Sequence, residues 1–144
     1  MNFEPFDTDL VIARLKEATS GFRLIAGAAD AITVRDLREL NPPSAYVLLA
    51  DEAGSSTGSR GAVAPAVARF GVAIAVRNYR AGSGEQVSAE ARQRVGQVRA
   101  ALIGWQPPLP GASPCSWLAG ATFDYDDSTL VWVDTYQCTH VLQR

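Results

Sequence analysis

Chemically versatile side chains are scarce in this chain: one histidine, His140, one lysine, Lys16, and two cysteines, Cys115 and Cys138, among 144 residues. Two cysteines are too few to staple a fold of this size, so stability has to come from a hydrophobic core, and both thiols are expected to be reduced. No excess of positive charge exists either: the formal net charge is −2, which gives no overall attraction to a phosphate backbone and argues against nucleic-acid binding. Long apolar runs are missing too. The longest weakly polar stretch, residues 70–76, falls far short of the roughly 20 residues a spanning helix needs. The opening Met1-Asn2-Phe3-Glu4-Pro5 is acidic and leads into no apolar run; no export signal and a cytoplasmic location are therefore expected.

What is present is an ordinary globular composition, 47% hydrophobic and 19% charged, and a length suited to one domain over residues 1–144 with a core of its own. Asp7 precedes a helical pattern over residues 8–19 with an apolar stripe at Val11, Leu15 and Ala18, and Phe6 and Val11 hold staple positions. Gly21 is expected to end that helix. Residues 22–26 read as a short strand and 27–40 as an ambiguous amphipathic stretch with room for a short helix, closed by Asn41-Pro42-Pro43. A second strand is expected at 44–50, followed by a polar Gly/Ser segment, 51–62, read as a mobile loop.

From residue 67 to 79 the pattern alternates strictly. Phe70, Val72, Ile74 and Val76 fall on one face and Gly71, Ala73, Ala75 and Arg77 on the other. The large residues should pack the core, and the small ones leave room for a helix or a neighbouring subunit on the opposite face. Residues 88–103 change to a spacing of three to four, with Ala91, Val95, Val98 and Leu102 in one stripe, Ser88 as N-cap and Gly104 as terminator. Two strands, 121–125 and 130–142, joined at Asp126-Asp127-Ser128, form a terminal hairpin. These elements predict an α+β fold: a mostly antiparallel mixed sheet with two main helices on one face, in the order α-β-β-β-α-β-β.

No constellation of reactive residues survives inspection. Gly54-Ser55-Ser56-Thr57-Gly58 matches the G-x-S-x-G pattern of a nucleophile elbow, but Ser59-Arg60-Gly61-Ala62-Val63-Ala64-Pro65 after it is not a helix, and the chain is too short for a hydrolase sheet. The same loop lacks the Lys-Ser or Lys-Thr of a phosphate cradle. Asp124, Asp126 and Asp127 read as a solvated turn rather than a cation loop, because Thr129 and Thr135 stand at the expected glycine and glutamate positions. Cys115, Cys138 and His140 offer three zinc-ligand types, yet Cys115 stands apart in a proline-rich stretch, so packed thiols are the default. Trp105, Trp117 and Trp132 most invite a binding reading, since aromatic side chains dominate interface energetics; Trp132 belongs to the core by its alternation, while Trp105 has two readings, folded over the core or facing a partner. No enzyme, cofactor or metal is expected.

Pro43-Ser44-Ala45-Tyr46-Val47-Leu48, Phe70-Gly71-Val72-Ala73-Ile74-Ala75-Val76-Arg77-Asn78 and Leu102-Ile103-Gly104-Trp105-Gln106-Pro107, in this order, resemble the tail-terminator proteins of bacteriophages and prophages. The opening helix, the segment 27–30 and the aromatic strand 130–136 fit the same likeness. The resemblance implies a structural protein that caps the tail tube, ends its polymerisation and offers a surface for joining the head. It implies a ring, typically of six copies, with a monomer expected when free. Its partners would be other copies, the tail-tube protein and a head-completion or neck protein, and its place the virion tail after assembly in the host cytoplasm. Arg60, Arg92, Arg99 and Trp105 are the candidate interface residues. Competing readings are another neck component, a small-molecule binding module, or a minor hydrolase using Ser56.

Overall fold

The computed structural model describes residues 3–28, 37–55, 63–77, 88–126 and 128–143. Helix α1 (Thr8–Ala18) leads into β1 (Leu24–Gly27), a 3-10 turn (Leu37–Leu40), β2 (Ser44–Gly54) and β3 (Val63–Arg77). Helix α2 (Ala89–Leu102) then precedes β4 (Ser116–Tyr125) and β5 (Thr129–Gln143). The strands form one five-stranded sheet in the order β1-β2-β3-β5-β4. β1 and β2 run parallel, and every other neighbouring pair is antiparallel. This is the expected α+β arrangement.

Both helices begin where their caps stand. The Asp7 carboxylate accepts the Asp9 amide at 2.9 Å, and the Ser88 hydroxyl accepts that of Ala91 at 3.1 Å, each satisfying an amide that has no partner within its helix. Phe6 and Val11 are both buried in the core, as a hydrophobic staple requires. α1 stops earlier than its glycine. Thr19 ends it by turning both its amide (3.0 Å) and its hydroxyl (2.6 Å) onto the Leu15 carbonyl. Gly21, at φ +85, makes the bend two residues later.

The alternation in β3 sorts two cores onto the two faces of the sheet. Phe70, Val72, Ile74 and Val76 are fully buried beneath Val11 and Leu15 of α1 and Ala91, Val95, Val98 and Leu102 of α2. Each such side chain contributes about 1.5–3 kcal/mol by leaving water. On the opposite face Ala75 and Ala73 meet Tyr46, Val131 and Leu40, so it is the 3-10 turn that occupies the room left by the small residues. The Tyr46 hydroxyl (2.7 Å) and the Ser44 hydroxyl both bond the Leu40 carbonyl and hold that turn in place.

Several expectations need correction: β3 begins at Val63, four residues before its expected start at 67, and Ala18, placed in the apolar stripe of α1, is exposed. β1 begins at Leu24, two residues later than its pattern suggested. Residues 51–54 are not loop but the second half of β2, paired with Arg69 to Ala66 of β3 after a register shift between Leu49 and Asp51. Polar side chains conceal this strand, because its partners are polar as well: Asp51 pairs with Arg69 at 3.4 Å, and Glu52 bonds His140 Nε2 at 2.7 Å and the Phe6 amide at 3.1 Å. β4 starts at Ser116, five residues before its expected start at 121. Ser56 and Arg60 lie outside the described residues.

Candidate assembly surface

β4 is an edge strand, and it stands unusually open. Every residue from Ser116 to Tyr125 is exposed except Gly120, which is half-buried. α2 packs mainly on β3 and β5. An edge strand offers unpaired backbone groups to any incoming chain, and folds normally protect it with charge or cover. Here the edge carries large apolar residues instead: Trp117 (43% exposed), Leu118 (42%), Phe123 (75%) and Tyr125 (52%).

Two bulges shape this edge. Trp117 opposes Tyr136 and Ala119 opposes Thr135, so Leu118 is an extra residue; Thr122 opposes Trp132 and Asp124 opposes Val131, so Phe123 is another. Bulges re-aim side chains, and both extra residues here are apolar and exposed. Several large apolar residues left exposed along one sheet edge make that edge the candidate contact surface.

Beneath the first bulge lies a charged knot. Asp134 of β5 is completely buried. Its carboxylate accepts Arg99 Nε at 2.8 Å and Nη2 at 2.9 Å, Trp132 Nε1 at 2.8 Å and the Tyr136 hydroxyl at 3.0 Å. Burial pushes this carboxyl upward, but the donors from Arg99, Trp132 and Tyr136 outweigh it and hold the group below its ordinary value. The Arg99 guanidinium, raised mainly by its bond to Asp134, also lies 4.7 Å from the Trp117 ring centroid and 5.9 Å from that of Trp132, within cation–π range. Burial, then the neighbouring Asp134 charge, raises the Tyr136 phenol.

The knot requires glycine at position 120. A Cβ there would fall 2.3 Å from Asp134 Oδ1, 2.8 Å from Arg99 Nη2 and 2.9 Å from the Trp132 ring. α2, β4 and β5 are thereby locked together, and Trp117 is fixed on the open strand with little side-chain freedom left to lose on binding.

At the other edge of the sheet, the end of α1 and β1 enclose a cleft of about 320 Å³ lined by residues from Lys16 to Ile25, including Phe22, Arg23 and Leu24. Arg94 of α2 braces two of its lining residues, donating to the Ser20 carbonyl at 2.9 Å and lying 5.3 Å over the Phe22 ring.

The expected interface residues are dispersed. Arg99 is the centre of the knot, Arg92 is exposed on α2, and Trp105 is partly buried against the core. The Trp105 amide donates to the Leu102 carbonyl at 3.1 Å, and its carbonyl accepts the Cys115 amide at 2.8 Å. Trp117, one of the three tryptophans that invited a binding reading, is exposed on this edge, whereas sequence reasoning missed Leu118 and Phe123; the one available signal was a run of apolar and small residues, Trp117 to Ala121, with no helical or alternating period. Cys115 does not stand apart. The pairing of Ser116 with Gln137 sets it directly across from Cys138; both thiols are free, and the neighbouring Cys138, with burial, raises the Cys115 thiol. His140 Nε2 is engaged by Glu52, and among the described residues no group of three or more His, Cys, Asp or Glu is placed to hold a metal ion. Nor, among them, is any helix long and apolar enough to cross a membrane.

No curated protein matches this chain. The family model described as phage tail terminator protein matches it over residues 1–144, and the chain belongs to that family.

Proposed function

We propose that this protein caps the end of the phage tail tube, stops further addition of tube subunits and presents the surface to which the head is joined, acting as a closed ring of copies. Membership of the family gives it a structural role in the phage tail. The observation that carries the finer reading is the β4 edge, where Phe123 is 75% exposed on a strand buried on neither face. A ring subunit needs a lateral surface of this kind, together with a different surface that receives it. Six copies is the expected number, with a monomer in dilute solution. Arg92, Arg60 and Trp105 remain candidates for contacts to the tube or neck protein, whereas Arg99 acts through Trp117.

The test is polymerisation of purified tail-tube protein with and without this chain. Elongation should halt, with the chain located at one end of each tube. Unchanged growth, or decoration along the whole length of the tubes, would refute the proposal.

A further inference from the structure

One row of paired residues crosses the whole sheet. Leu24 opposes Ser44, Ser44 opposes Ala75, Ala75 opposes Val131, and Val131 opposes Asp124. The row therefore ends at Leu24 on one edge and Asp124 on the other. Following the strand directions across the sheet, β4 runs opposite to β1. A second copy set beside the first in the same sense brings its β1 antiparallel to the first copy's β4, with the start of β1 level with the end of β4.

The two ends differ in charge. Asp124 is the penultimate residue of β4 and Asp126 directly follows the strand, whereas β1 starts after Arg23, with Lys16 beside it in the cleft. Their shapes also differ. The β4 end carries the protruding Phe123, and the β1 end carries the cleft of about 320 Å³ with Phe22, Leu24 and Ile25 in its lining. Knob and hole, acid and base, stand on opposite edges at one level.

We propose that the β4 edge of one copy docks on the β1 edge of the next, with Phe123 seated in the cleft and Asp124 facing Arg23 and Lys16, so that the sheets run on from copy to copy. This rests on the ring reading above and specifies its lateral contact. The contact is heterologous: each copy uses one edge as knob and the other as hole, and repetition closes a ring when the rotation permits. Pairing of β4 with a second β4 would leave the cleft and Arg23 unused.

Because Lys16 is the one lysine of the chain, a zero-length carbodiimide cross-linker tests the contact directly. Within one copy the two edges lie four strand spacings apart, about 19 Å, too far for such a link. Treating concentrated full-length protein, and tails assembled with it, should give dimers and larger species whose linked peptides join Lys16 to Asp124 or Asp126. Multimers in which Lys16 is linked only to other carboxylates would overturn the proposal, as would the absence of multimers from both samples.

Charge reversal supplies a second arm. In phage lacking the native protein, Arg23→Glu or Asp124→Arg alone should give at least about tenfold fewer unit-length tails, since facing like charges cost several kcal/mol, and an equal mixture of the two should restore them by alternating around the ring. Full function of the single variants, or no rescue by the mixture while both melt like the native protein, would refute the contact. If native protein itself leaves tail length unchanged, the capping function fails; the cross-links then decide the contact alone.

Discussion

Replacing Arg99 with methionine should destabilise the protein well beyond what an ordinary helix-surface change does. Methionine keeps an apolar stem over Trp117 but leaves the Asp134 carboxylate, which is fully buried, without its cation. Stripping one partner from a buried ion pair costs about 3–5 kcal/mol. The Arg99 side chain is 33% exposed, so water already screens part of the attraction, and the remaining Trp132 and Tyr136 donors still serve the carboxylate. The discounted expectation is about 2–3 kcal/mol, a fall in melting temperature of roughly 5–10 °C for a chain of this length. Denaturant titration and thermal unfolding by circular dichroism measure both. Arg92→Met, on the exposed face of the same helix, is the control and should stay within about 0.5 kcal/mol. The double variant Arg99→Met with Asp134→Asn should lose less than the sum of its singles, because a neutral amide no longer needs the cation. A cost for Arg99→Met indistinguishable from that of Arg92→Met would refute the role given to the knot.

Other consequences follow from the same geometry. Asp134 titrates below its unfolded value near 3.9, so the stability it adds is complete above that pH and is lost as the pH falls through the folded value; Asp134→Asn should flatten that acid limb of a stability–pH curve. Gly120→Ala should destabilise by about 2–4 kcal/mol, since its methyl group cannot share space with the carboxylate and guanidinium of the knot; an alanine variant that melts with the native protein would contradict this. Cys115 and Cys138 are both buried, so an aromatic disulfide reagent should modify them only on unfolding, and fast reaction in the native state would show that the start of β4 opens.

Elements governed by local rules were legible in the sequence. The caps Asp7 and Ser88, the α2 stripe and the alternation of β3 each depend on neighbours within a few residues, and all stand where the pattern set them. Features governed by distant partners were not legible. Arg99 and Asp134 are 35 residues apart, and nothing near either one announces the other. The second half of β2 looks like loop until Arg69 and His140 are brought alongside it. Exposure of β4 follows from where α2 happens to lie, and the level shared by Leu24 and Asp124 is the product of four successive pairings, none of which leaves a trace in composition or period.

The capping function is tested most directly by the length distribution of tails from phage lacking this protein, measured by electron microscopy against phage that carry it. Tails that run on past unit length in its absence, and return to unit length when it is restored, are the predicted result. Unit-length tails without the protein would contradict the account.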